Sequence, residues 1–231
     1  VRWQPSLKQG ERPVIDVYTW TTGNGRKVPI FLEETGTPYR LHMVDIHNGE
    51  QHKPEFIKIN PNRKIPAITD QDGPGGKPIT LFESGAILIY LADKVGQFIP
   101  KDPAGRYHTI EWLMFQMANI GPLLGQTHHF RSKAPDNAYG VKRYTDEATR
   151  LWKVMDGRLG DVPYLAGNDY TIADMATYVW LRNPKNQGQN LDDYRNVKRW
   201  FTAIDSRRAV QRAHKAVEDA AEKYKAVKKA S

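Results

Sequence analysis

Three short stretches of the chain carry residue types that together could recognise one kind of small molecule. Glu83-Ser84-Gly85 stands at the start of an apolar helical run and offers a carboxylate for an ammonium, a hydroxyl, and unpaired backbone N–H groups for a carboxylate. Such a trio suits an α-amino acid head group. Pro66 follows Ile65 directly before a strand signal, and a cis peptide there could turn the N–H and C=O of Ile65 outward, where an extended peptide can pair with them. Thr22, Asn24 and Gly25 precede another helix, whose positive end favours an anion such as a thiolate. A peptide with an amino-acid head, a thiol in its middle and a terminal carboxylate would span these points.

Other candidate chemistry has a simpler reading. His128 and His129 are neighbours, so on a helix they point about 100° apart, and no carboxylate or further His follows at ligand spacing. They read as pocket lining or core packing, and no metal is expected. Gly73-Pro74-Gly75-Gly76-Lys77 lacks the Walker spacing and the hydroxyl residue after Lys, so it reads as a hairpin tip. Tyr18 lies inside a strand and reads as core. The chain has no Cys, which excludes disulfide scaffolds, thiolate zinc sites and a protein-borne redox pair. Any thiol must arrive with a ligand.

The elements that must position these residues fall into two grammars. In the first half, strand signals at residues 14–20, 39–46, 67–70 and 79–82 alternate with helical signals at 26–35 and 83–95 and a short turn at 54–59. Pro29 is tolerable in the first turn of its helix and Gly36 stops it. A parallel pair joined by a crossover, followed by a hairpin and a helix, is a thioredoxin-like α/β arrangement. Beyond Pro103 the strand signals fade, and 104–129, 139–160, 171–182 and 194–224 read as helices, giving an all-helical second domain. Thr171-Ile172-Ala173-Asp174 fits a capping box. The domains are placed at 14–97 and 104–225, with terminal extensions at 1–13 and 226–231.

The 231 residues contain 34 Lys and Arg against 26 Asp and Glu, a net charge of +8. Much of the excess is interleaved with Ala, Val and Glu between residues 207 and 229, as on the wet face of a helix, so neither nucleic acid nor a membrane is the expected partner. No run approaches the roughly 20 apolar residues of a membrane span, and residues 1–13 carry no stretch suited to a secretory signal. A cytoplasmic protein is expected.

From Val14 to about Lys225 the chain resembles the cytosolic glutathione transferases. Residues 60–68, NPNRKIPAI, are similar to that family's cis-proline segment, residues 81–87, LFESGAI, to its γ-glutamyl motif, and Thr171-Ile172-Ala173-Asp174 to its C-terminal helix cap. More narrowly, Thr22-Gly23-Asn24-Gly25-Arg26-Lys27, Gly49-Glu50-Gln51, residues 121–126 (GPLLGQ) and His128-His129-Phe130 resemble the bacterial Nu class, known for reducing disulfides with glutathione. Where members of that class carry Pro between the Thr and the Asn, this chain has Gly23.

The resemblance implies glutathione as cosubstrate, with two molecules or glutathione disulfide per site, and a homodimer. It places Thr22 and Asn24 as the catalytic pair near the glutathione sulfur, Gln51 near the glycyl end, Ile65 against the cysteinyl backbone, and Glu83 with Ser84 at the γ-glutamyl group. Arg143 is expected to reach glutathione across the dimer interface, with Lys64 helping to offset carboxylate charge. Trp20, Phe115, His129 and Phe130 are expected to line the pocket for the second substrate, a small disulfide, thioether or electrophile. The alternatives are a conventional transferase conjugating hydrophobic electrophiles and a non-catalytic interaction domain of the same fold.

Overall fold

The structure, a computed structural model, describes residues 14–230. The expectations for residues 1–13 and for Ser231 lie outside the described residues.

Strand β1 (Ile15–Thr19) lies at the centre of a four-stranded sheet. It pairs in parallel with β2 (Tyr39–Met43), matching Val17 to Leu41, and antiparallel with β3 (Ala67–Asp70), matching Val17 to Ile68. The edge strand β4 (Ile79–Phe82) pairs antiparallel with β3, so the order is β2-β1-β3-β4. This is the expected thioredoxin-like arrangement. Helices α1 (Gly23–Thr35) and α3 (Ser84–Val95) close the main core with Val17, Val28, Phe31, Ile68, Ile87 and Leu91, none of them exposed. A smaller cluster of Trp20, Val44, Phe56 and Ile65 includes the short α2 (Pro54–Ile57), and Tyr18 packs against it, as its core reading required.

Two local details differ from expectation. α1 begins at Gly23, so Pro29 is in its interior rather than its first turn. A proline there cannot donate to the carbonyl four residues back, which is that of Gly25. The Thr19 hydroxyl donates to the Gly25 carbonyl instead, at 2.7 Å, and the helix continues to a left-handed Gly36. β2 also stops three residues early, because the Asp45 carboxylate accepts from the N–H groups of His47 and Asn48 and caps a tight turn.

The second half is helical. Asp102 caps α4 (Pro103–Phe115) through the N–H of Gly105. The expected single helix over 104–129 is α4, a π-helical turn at Gln116–Ile120, and α5 (Gly121–Lys133). α6 (Ala138–Asp161) is followed by α7 (Ile172–Tyr178), which is shorter than expected. The capping box forms: Thr171 caps the helix, and the buried Asp174 carboxylate accepts from the N–H groups of Thr171 and Leu165 and from the Trp200 indole. The expected helix over 194–224 is two, α8 (Arg195–Asp205) and α9 (Arg208–Ala230). The break redirects the chain onto α1, where Arg207 grips Glu34 at 2.6 and 2.9 Å and the buried Arg26 meets Glu218 and His214. Among the described residues no helix is long and apolar enough to cross a membrane.

Candidate functional site

At the N-terminal end of α1, Thr22 is the extended cap residue, and its oxygen accepts from the Gly25 N–H at 3.2 Å. Its hydroxyl hydrogen is left to donate. The Asn24 oxygen accepts from the Trp180 indole N–H at 3.1 Å, which fixes the amide so that its nitrogen is the group left over. Two donors therefore stand at the positive end of one helix, the arrangement that stabilises a thiolate whose ordinary thiol pKa is about 8.5. Gly25 is required here, since a Cβ would lie 2.0 Å from the Trp20 carbonyl oxygen. Trp180 itself rests against α5, where Cβ atoms on Gly121 and Gly125 would come within 3.6 and 3.5 Å of its ring.

The N-terminal end of α3 is built differently. Glu83 holds φ 68°, ψ 110°, unusual for a residue with a side chain, and places no side-chain cap on the helix. Among the described residues its exposed carboxylate accepts only a long bond from the Asn62 amide, at 3.5 Å. Ser84 is buried and accepts at 3.2 Å from the ammonium of Lys27, while its own hydroxyl faces the Met117 sulfur at 3.6 Å. An anion docked on α3 would meet the Ser84 hydroxyl and first-turn N–H groups, with Glu83 beside it for an ammonium.

The Ile65–Pro66 peptide is cis, as expected. The Asn60 amide donates to the Lys64 carbonyl at 2.6 Å and shapes the approach to β3. Ile65 makes no backbone hydrogen bond to any other described residue, and the Lys64 side chain is exposed. Gln51 sits in a loop pinned by Glu50, which accepts from the Asp45 N–H, Lys53, Tyr224 and Lys228. The Gln51 amide nitrogen donates to the Ile46 carbonyl at 3.3 Å, and its buried oxygen has no partner among the described residues.

Arg143 is not brought to these groups within one chain. It is exposed on α6, in a surface groove with Tyr139, Lys142, Asp146, Glu147 and Arg150. Trp20 is corrected from pocket lining to core: it is 1% exposed, packed edge-on against Tyr224, because its place at the end of β1 turns it into the smaller cluster. Phe115 packs edge-on against Trp112, and Phe130 stacks on Tyr144 with His129 at its edge. Among the described residues no group of three or more His, Cys, Asp or Glu could hold a metal.

Sequence reasoning missed Trp180, Lys27 and Gln116. The Gly121-to-Gly125 spacing was a signal for a bulky ring packed on α5. The setting of Lys27, immediately before the buried Val28 and one helical turn before Phe31, marked it as a lysine on a buried face.

These features define a two-domain protein with a thioredoxin-like first half and an all-helical second half. The model of the glutathione S-transferase N-terminal domain matches residues 13–93, and that of the C-terminal domain matches residues 125–208. The chain is 45% identical over 202 residues to the disulfide-bond oxidoreductase YfcG of Escherichia coli, covering 87% of this chain and 94% of that protein. It is 40% identical over 224 residues to YghU of the same organism, also named a disulfide-bond oxidoreductase, covering 90% and 76%. Among solved structures, a glutathione transferase of Pseudomonas putida with one glutathione disulfide per subunit superposes with a TM-score of 0.84 at 43% identity, over 91% of this chain and 94% of that one. A family member from Pseudomonas fluorescens with two glutathione molecules bound gives 0.83 at 45% identity, over 87% and 92%. The chain belongs to the glutathione transferase family.

Proposed function

We propose that the protein is a glutathione-dependent disulfide reductase in which Thr22 and Asn24 stabilise the attacking glutathione thiolate. The carrying observation is the pair of unengaged donors at the positive end of α1, in a chain with no Cys of its own. The protein lowers the thiol pKa and holds the sulfur; the electrons come from the substrate tripeptides. One glutathione thiolate attacks a disulfide, forming a mixed disulfide with glutathione and releasing one thiolate. A second glutathione thiolate attacks the glutathione sulfur of that mixed disulfide, releasing the other thiolate and leaving glutathione disulfide. The related structures with two glutathiones bound, or with one glutathione disulfide per subunit, support this stoichiometry.

Glu83 and Ser84 take the γ-glutamyl head group, Ile65 pairs with the cysteinyl backbone and Gln51 lies toward the glycyl end. Lys64 and, from a second copy of the chain, Arg143 offset the carboxylates. Exposure of Arg143 in a groove of α6 supports a role between subunits of a homodimer. Reduced glutathione is the thiol pool of the cytoplasm, which supports that compartment.

The test is reduction of a small model disulfide coupled to glutathione reductase, run beside conjugation of an activated aryl halide. Catalysed disulfide turnover with slow conjugation is expected. Turnover no faster than the uncatalysed thiol reaction, with brisk conjugation, would establish the transferase alternative; failure to bind immobilised glutathione would leave the interaction domain. For Arg143, an engineered monomer should lose glutathione affinity as Arg143→Ala does; a fully active monomer in sedimentation would refute the shared site.

A further inference from the structure

Lys27 is 1% exposed, yet among the described residues it forms no ion pair. Its ammonium donates to two neutral oxygens, the Ser84 hydroxyl at 3.2 Å and the Gln116 side-chain carbonyl at 2.8 Å. A buried cation is normally paired with a contacting anion, because desolvation is otherwise uncompensated. Among the described residues the charge whose field reaches it is that of Glu83, which is not within bonding distance. The surroundings come from three elements: α1 carries the lysine, α3 presents Ser84 with Glu83 just before it, and the π-helical turn presents Gln116. Gly121 keeps that last partner in place, since a Cβ there would lie 2.9 Å from the Gln116 amide nitrogen.

We propose that Lys27 is a positioning residue of the head-group subsite: from beneath Ser84 it provides the positive charge that a ligand carboxylate requires, and it takes up a proton when that carboxylate binds. The inference rests on the glutathione reading above. By donating to the Ser84 oxygen, Lys27 turns the serine hydroxyl into a donor aimed away from itself, at Met117 in the free protein and at the carboxylate in the complex. Burial lowers the Lys27 pKa to about 7, so in the free protein the site is charged in only part of the population at neutral pH. A carboxylate docked across Ser84 is the missing counter-charge and draws the proton on. The π-helical turn that delivers Gln116 thereby makes the helical domain part of the head-group site.

The test uses S-methylglutathione, which has the head group and no thiol to lose a proton. Calorimetry in buffers of different ionisation enthalpy should show uptake of most of one proton per site near pH 7.5–8, falling toward zero below pH 6. Affinity should drop about fivefold from pH 7 to pH 8. Lys27→Met should bind more weakly, with no linked uptake and a flat profile over that interval. His47 and His52 near Gln51 are present in both proteins, so the difference between the two reports Lys27. In case Lys27→Met fails to fold, carbon NMR of lysine-labelled parent protein should show one side chain titrating near neutrality that moves above pH 9 with ligand. Equal proton uptake in both proteins, or no near-neutral lysine, overturns the inference while leaving the glutathione reading intact. Absence of any S-methylglutathione binding overturns the reading itself.

Discussion

α1 and α3 are joined by the Lys27–Ser84 hydrogen bond, and their N-terminal ends are built in opposite ways. The α1 end is capped by Thr22, closed by Gly25 against the Trp20 carbonyl, and locked from the helical domain by Trp180. The α3 end has no side-chain cap, a residue in the left-handed region, an exposed carboxylate and a buried cation underneath. An end with fixed neutral donors favours a charge that forms during the reaction, since it needs no rearrangement as the thiolate appears. An end with charges of both signs suits a zwitterion that already carries them. The proposed division is therefore catalysis at α1 and affinity at α3.

The largest difference should appear when a methyl group is added at each end. Gly25→Ala pushes a Cβ into backbone and should cost about 3 kcal/mol, or roughly 6–12 °C in Tm. At α3, a Cβ on Gly85 meets the Met117 side chain at 3.0–3.3 Å, and a flexible thioether gives way, so Gly85→Ala should cost no more than about 1 kcal/mol. Thermal unfolding of both variants checks this, and equal losses would remove the claim that the α1 end has a single packing solution.

Next in size is the affinity test. Glu83→Ala or Ser84→Ala removes a charge-assisted contact of about 1.5–3 kcal/mol, so glutathione should bind roughly tenfold or more weakly. Turnover at saturating glutathione should stay near the parent value. Unchanged affinity by calorimetry in both variants would sink the assignment of the α3 end.

Asn24→Ala should do the reverse, raising the pKa of bound glutathione and lowering turnover more than binding. Trp180→Phe sharpens this, because it removes the N–H that orients Asn24 while keeping an aromatic ring at the position, with part of the indole contact to Gly121 and Gly125 given up. One neutral hydrogen bond is worth about 1 kcal/mol, so thiolate absorbance of the complex should shift by about 0.5–1 pH unit. A titration curve that stays put in Trp180→Phe but moves in Asn24→Ala would show that Asn24 needs no lock.

The contrast also shows what a sequence can carry. The places of Thr22, Asn24, Glu83 and Ser84 at the starts of two helices were legible, because each lies in a local signature that fits within a few residues. The parallel pair and the hairpin followed from alternation and connection lengths, and the Thr171 cap from spacing alone. The roles of Trp180, Lys27 and Gln116 were not: local signals mark a ring on α5 and a lysine on a buried face but not the partners, which lie 156, 57 and 89 residues apart in the chain. Trp20 was misread because a strand pattern tells which residues share a face without saying which face is the pocket. The π-helical turn was invisible to periodicity, which reads an uninterrupted apolar pattern as one helix, and so was the break before α9, whose cause is the distant anchor on α1.

The smallest expected effect concerns the loop that holds Gln51, the third point of the proposed ligand. Burial by itself would raise the Glu50 carboxyl, but hydrogen bonds from Lys228, Lys53 and Tyr224 and from the Asp45 N–H outweigh it and hold the pKa at about 2. The folded value is below the ordinary carboxylate value of about 4.3, so this clamp stabilises the fold above that pH and is lost as pH falls from about 5 toward 2. At neutral pH, Lys228→Ala removes one partly exposed contact of several and should change glutathione affinity by no more than about twofold. Acid should do more: hydrogen-exchange protection of residues 45–53, corrected for intrinsic rates, should fall below pH 4 while the sheet stays protected. Glu50→Gln should show low protection of that loop already at pH 7. Equal loop protection at pH 3.5 and pH 7 in the parent protein would mean that α9 does not hold the Gln51 loop through Glu50, and that the loop owes its shape to Asp45 and the turn it caps.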